Sequence, residues 1–365
     1  MPYLHLEHSF ELESGEKLPR LSIAYTTHGK LNDRGDNVVW VCHALTGNAD
    51  PVEWWPGLVG AGETINPNKH FIVCANILGS CYGTTGPSHF EPNTNQPYGL
   101  DFPLVTTRDM ARLHQLLAKY LGIKKVYLGI GGSMGGQQLL EWAVIAPDFF
   151  KHLCLLATNA RHSPWGIAFN EAQRMAMKAD ETLGTNQPEA GRRGLEAARA
   201  IAMLSYRHYQ TYDQSQGETD KDKLDDYRAS SYQRYQGEKL WKRFDPSSYW
   251  VLSRAMDSHH IGRGRESLEK ALSTIKARTL VIGIDSDILF PVAEQSELAE
   301  HIPYSRFEII TSDFGHDGFL TETKTVSLLL NDFLSDQFNG RLPSPRLRKK
   351  AAFKGNFVLP GSEPF

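Results

Sequence analysis

Five short apolar runs punctuate the chain, at 37–44 (NVVWVCHA), 70–78 (HFIVCANIL), 125–132 (KVYLGIGG), 152–160 (HLCLLATNA) and 277–285 (ARTLVIGID). Each is nearly continuous rather than alternating, the pattern of a strand covered on both faces, as in a mainly parallel sheet. Between some of them apolar residues recur at helical spacing. The clearest case is 106–123, where Leu121-Gly122 supplies a C-terminal stop. Strands alternating with helices predict a right-handed, doubly wound α/β sheet. The pattern breaks between 161 and 273, where charged and aromatic residues rise and no strand run occurs. There AFNEAQRMAMKAD, RRGLEAARAIAMLSYRHY and SSYWVLSRAMDSH read as helices separated by polar loops. The chain therefore divides into a core at 1–160 and 274–340 and a helical lid at 161–273, inserted after the middle strands. The last stretch, 341–365, is rich in proline and basic residues and reads as an extended or disordered tail.

Composition narrows the function. A chain of 365 residues suits one large domain carrying an insertion. The net charge of −3 provides no broad basic field, so nucleic acid is not an expected partner. No apolar run approaches the roughly 20 residues a membrane helix needs, and the first residues lack a basic start followed by an apolar stretch, which points to the cytoplasm. Cys42, Cys74 and Cys154 lie in strand-like runs and read as buried thiols of a reducing compartment. Neither CxxC nor HExxH occurs, so no metal ligand set is visible.

The chemistry concentrates at Gly131-Gly132-Ser133-Met134-Gly135, a G-x-S-x-G motif that follows a strand and opens a helix. Glycines suit a strained turn where strand and helix pack too closely for side chains. A dinucleotide loop would need a third glycine where Met134 stands, and a phosphate loop would need Gly-Lys-Ser/Thr. A nucleophilic serine in this setting requires a carboxylate and then a histidine, each on a loop after a later strand. Asp287 follows the run at 277–285, with Asp285 as the competing acid nearer the strand end. His316 follows in the glycine-flanked GHDGF, after the apolar RFEII. His316 would take the proton from Ser133, and Asp287 would fix its tautomer. The amides of Met134, at a helix N-terminus, and Leu45, after the first apolar run, are the candidate oxyanion donors. His43 reads as a structural residue orienting the Leu45 loop.

Many segments resemble the homoserine O-acyltransferases of the α/β-hydrolase superfamily, among them CHALTGNAD, NILGSCYGTTGPSH, GGSMGGQQLLEW, GLEAARAIAMLSYR, DSDILFP and GHDGFL. The resemblance runs from near residue 18 to near 320. It implies an α/β-hydrolase fold and transfer of an acyl group from a coenzyme A thioester to the side-chain hydroxyl of L-homoserine, at the start of methionine synthesis. The expected donor is acetyl-CoA, a co-substrate rather than a permanently bound cofactor, acting through an acyl-Ser133 intermediate in a ping-pong reaction. A succinyl donor, a serine acceptor, and a lidded esterase or thioesterase are the alternatives. By the same resemblance Ser133, Asp287 and His316 match the family's triad, Arg199 matches the arginine that holds the acceptor's carboxylate, and Asp317 matches the acid that holds its amine. Without it, Arg199 and Asp317 read as solvated residues. Tyr206, seven residues beyond Arg199, is a further candidate for that pocket. Arg263, Arg265 and the tail's RLRKK read as solvated charge, with coenzyme A phosphates as the alternative. A homodimer through the lid helices is expected.

Overall fold

The predicted strands exist and share one sheet. The computed structural model describes residues 1–336. Its strands are β1 (Tyr3–Leu6), β2 (Phe10–Glu11), β3 (Lys17–Leu18), β4 (Leu21–His28), β5 (Val38–Cys42), β6 (Phe71–Ala75), β7 (Val126–Gly132), β8 (Phe150–Leu156), β9 (Arg278–Ile284) and β10 (Ser305–Ile310). Eight of them form a sheet in the order β1-β4-β6-β5-β7-β8-β9-β10, and β2 and β3 make a separate small ribbon. From β6 to β10 every pairing is parallel; β1 and β4 add an antiparallel edge. The five apolar runs are β5 to β9. In β5, Val38, Trp40 and Cys42 face one core cluster while Val39 and Val41 face the other, which is why the run does not alternate.

The chain passes from β5 outward to β6 and then back to β7 on the other side of β5. Strand order reverses there, and in open α/β sheets the crevice beyond the strand C-termini at such a switch point is where ligands bind. The helices that cover the sheet are locally specified. Helix Thr107–Tyr120 starts with a capping box, Thr106 and Asp109 satisfying each other's backbone amides. It stops at Gly122, whose φ of +70° suits a residue without Cβ.

Between β8 and β9 the chain forms helices Pro164–Lys178, Arg192–Tyr206, Tyr209–Gln216, Arg228–Trp241, Pro246–Asp257 and Leu268–Ser273. The insertion leaves and re-enters at one stem. Arg161 bridges to His260, His162 N donates to His259 O at 2.9 Å, and Ile261 N donates to Ala160 O at 2.8 Å.

The expectation for Arg263 and Arg265 does not hold, because both are engaged in ion pairs. Arg263 Nη2 lies 2.8 Å from Glu13 Oε2, and Arg265 Nη2 lies 2.7 Å from Glu141 Oε2. Arg108 joins the two halves, 2.5 Å from Glu13 and 3.1 Å from Glu141. Glu141 is fully buried, so these guanidiniums are the partners that a desolvated carboxylate requires. They fasten the returning lid segment to helices Thr107–Tyr120 and Met134–Ile145. The RLRKK run and the 341–365 tail lie outside the described residues. Cys42, Cys74 and Cys154 are buried free thiols, and Cys81 is free and half-buried. Among the described residues no helix is long and apolar enough to cross a membrane.

Candidate active site

Ser133 sits between β7 and helix Met134–Ile145 with φ 55° and ψ −128°. That conformation is strained for a residue with a side chain. The fold holds it from both sides. Ser133 N donates to Leu156 O at 2.9 Å, and Thr158 Oγ1 donates to Ser133 O at 2.7 Å. The surrounding glycines answer to close approach rather than flexibility. A Cβ on Gly135 would lie 2.1 Å from Cys42 O, and one on Gly131 would lie 2.8 Å from the Gly135 carbonyl carbon. Helix and neighbouring strand touch through bare backbone, which leaves the serine raised at the bend. Its hydroxyl does not cap the helix it precedes.

Asp287 and His316 occupy loops after β9 and β10. His316 Nδ1 and Asp287 Oδ2 are 2.7 Å apart, and both residues are buried. The other carboxylate oxygen of Asp287 accepts the amides of Leu289 at 2.8 Å and Phe290 at 2.9 Å, which fixes the acid's orientation. Asp285 does different work: its Oδ1 accepts Ser312 N at 3.1 Å and ties the two loops together. With Nδ1 committed to Asp287, Nε2 is the imidazole nitrogen left for proton transfer. The ring stacks on Phe290 at 4.9 Å and meets Phe319 edge-on at 5.5 Å. Phe319 also lies against Gly132, where a Cβ would be 2.4 Å from its ring, so it spans from the imidazole to the residue before Ser133. Burial is the largest influence on His316 and opposes its charged form. The charge and hydrogen bond of Asp287, with Asp317 and Glu294, outweigh it and raise the pKa above the ordinary imidazole value.

Among the described residues neither the Leu45 nor the Met134 backbone N–H has an acceptor, as oxyanion donors require. The Leu45 loop is braced by groups around it. His43 Nδ1 is 2.8 Å from Ala44 O, and Gln138 Nε2 donates to His43 O at 3.2 Å. Burial pushes the His43 pKa down to about 4, so the ring is neutral. Arg243, from just beyond helix Arg228–Trp241, donates to Thr46 O at 2.7 Å and to Tyr82 Oη at 3.0 Å. Gln138 and Arg243 were not singled out from the sequence; one reads as helix interior and the other as lid charge.

The three remaining candidates lie around the His316–Asp317 loop. Arg199 is half-buried, its guanidinium 5.2 Å from the centre of the Tyr206 ring. The Tyr206 ring centre is 5.9 Å from that of His316. Asp317, one residue further, has a side chain only 18% exposed, and Arg207 Nε lies 2.9 Å from its Oδ2. Neither Arg199 nor Asp317 is solvated as it would be on an open helix face or turn. Burial raises the Asp317 pKa, against the lowering influence of Arg207, Arg199 and His316. Arg207 escaped the sequence reading although it adjoins Tyr206. Among the described residues no three His, Cys, Asp or Glu side chains group as a metal site would require.

A strained serine at the switch point of such a sheet, with a His–Asp pair on its last two loops, is the arrangement of an α/β hydrolase, and residues 37–323 match the sequence profile of the alpha/beta hydrolase fold. Esterase E22 shares that fold at a TM-score of 0.83 and 23% identity, over 91% of this chain and 99% of its own. Sequence similarity is more specific. The chain is 51% identical over 329 residues to homoserine O-acetyltransferase of Cyclobacterium marinum, covering 90% of this chain and 93% of that protein. The crystal structure of homoserine O-acetyltransferase from Staphylococcus aureus is 30% identical with a TM-score of 0.77, over 93% of this chain and 96% of that one. The chain belongs to the homoserine O-acetyltransferase family.

Proposed function

We propose that this protein moves an acetyl group from acetyl-CoA to the side-chain hydroxyl of L-homoserine, through an acyl-Ser133 intermediate, as the first step from homoserine toward methionine. The observation that carries the reading is the placement, around the His316–Asp317 loop, of one half-buried cation, Arg199, and one half-buried anion, Asp317. A zwitterionic amino acid needs that pair, whereas an ester hydrolase acting with water does not.

In the first half-reaction His316 Nε2 takes the Ser133 proton as Oγ attacks the thioester carbon. The tetrahedral oxyanion accepts hydrogen bonds from Leu45 and Met134, each contributing about 3 kcal/mol in comparable sites. Collapse breaks the C–S bond, and the proton on His316 passes to the departing thiolate. Homoserine then binds with its carboxylate on Arg199 and its amine on Asp317, against Tyr206. Its hydroxyl gives a proton to His316 and attacks the acyl carbon, and Ser133 leaves with that proton. Asp287 holds the imidazole and stabilises its charged form in both halves. The lid restricts water, so that a positioned hydroxyl reacts first. In this reading acetyl-CoA is a co-substrate, no cofactor is permanently bound, the enzyme is cytoplasmic, and two copies pair through lid helices.

Rapid mixing with acetyl-CoA alone tests it. One equivalent of thiol should be released in a burst, the intact protein should gain the mass of one acetyl group, and turnover should begin only when homoserine is added. A mass gain from succinyl-CoA instead would reassign the donor. Steady hydrolysis without acceptor would make the protein an esterase, and a Ser133→Ala variant that still bursts would remove the nucleophile.

A further inference from the structure

Arg207 has no part in the mechanism above, yet among the described residues it makes the one direct ion pair to its acceptor site. It ends helix Arg192–Tyr206 with extended backbone, φ −110° and ψ 148°. That turn lays the Tyr206–His208 backbone against Gly315, where a Cβ would be 2.9 Å from His208 N and 3.0 Å from Tyr206 O. From this junction the side chain crosses from the lid to the histidine loop and places Nε 2.9 Å from Asp317 Oδ2. The Nε–H does not point along that line and makes no hydrogen bond. The contact is charge against charge. Among the described residues no donor reaches either carboxylate oxygen of Asp317 with hydrogen-bond geometry, so its acceptor positions stay open toward an incoming ligand.

A carboxylate in this position needs a resident cation. The charged and titratable groups facing it are Arg207 and Arg199 from the lid, His316 beside it, Asp287 beyond, and the phenols of Tyr206 and Tyr212. The proposed function, on which this inference rests, commits Arg199 to the acceptor's carboxylate. His316 is neutral in the acyl-enzyme, because it must accept the acceptor's proton. Arg207 is then the fixed cation left to Asp317 while the second substrate binds. We propose that Arg207 is a positioning residue that holds the Asp317 carboxylate in place as an anion, and so lets the acyl-enzyme capture an acceptor bearing a protonated amine.

Stopped-flow assays of the full-length enzyme with acetyl-CoA, and with acetyl-CoA plus homoserine, test this in Arg207→Gln and Arg207→Lys. In Arg207→Gln the thiol burst should stay within about two-fold of the parent, while KM for homoserine rises roughly 10- to 100-fold, as loss of one charge-assisted contact implies. That KM should also fall with rising pH more steeply than the parent's does, because Asp317 without its cation ionises later. Arg207→Lys should restore most of the affinity and the parent's pH profile. An unchanged KM overturns the proposal, and so does a KM raised equally at every pH and not rescued by lysine. A parent enzyme that gives no burst removes the acyl-enzyme reading and this inference with it. A parent that bursts, beside an Arg207→Gln variant with normal homoserine KM, removes the Arg207 role alone.

Discussion

At the scale of single residues, the site depends on contacts too close to allow an added atom. A Gly135→Ala substitution would drive a methyl to 2.1 Å from Cys42 O, a backbone atom of β5 that has no rotamer to escape into. The variant should lose about 3 kcal/mol in urea unfolding, or fail to fold. His316 yields a prediction in pH. In the proposed mechanism its neutral form is the base, and its pKa is raised, so the thiol burst should speed up with pH through a midpoint above that of an ordinary imidazole. Asp287→Asn removes the anion and leaves burial dominant. The limb should then move to lower pH, and the rate should fall about ten-thousand-fold, as in a comparable triad. The strained bend at Ser133 and the pairing of Asp287 with His316 were legible because a nucleophile elbow dictates what must follow it and in what order. Arg207 was not, because it looks like one more helix residue until the backbone turns at ψ 148° and aims it inward. Arg263 and Arg265 were misread for a related reason. A charge run looks the same whether water or a distant carboxylate faces it, and here the partners are 250 and 124 residues away.

Among elements, the buried parallel strands announced themselves and the edge did not. β1 is four residues long with one buried, and β4 ends in Thr26, Thr27 and His28, all half-buried. Such mixed burial on an antiparallel edge leaves no continuous apolar run to detect. Loops also depend on partners that sequence does not reveal. The segment after β5 carries the free Leu45 amide, and Arg243 fastens the next residue, Thr46, through its carbonyl at 2.7 Å and its hydroxyl at 3.3 Å. Arg243→Ala should slow the thiol burst roughly ten-fold by loosening one oxyanion donor, with little change in melting temperature. A burst of normal rate would show that the loop holds itself.

At the scale of the molecule, the lid presents apolar side chains to the outside. Met175 is 63% exposed, Leu204 54% and Tyr235 55%. Apolar side chains exposed on the lid suit burial against a second copy. Sedimentation should therefore give twice the chain mass, and Leu204→Glu should shift it toward one; a parent that sediments as a single chain would refute the pairing. The chain enters and leaves the insertion at the narrow stem formed by Arg161 and His260. The insertion's two ends are a single backbone hydrogen bond apart, a spacing at which whole segments can be exchanged without reshaping what lies beneath. In the proposed mechanism the acceptor's carboxylate is held from this replaceable cassette by Arg199, while Asp317 stays with the serine's own scaffold. Grafting a relative's cap onto this stem would give selection a way to change the alcohol while keeping the serine machinery intact.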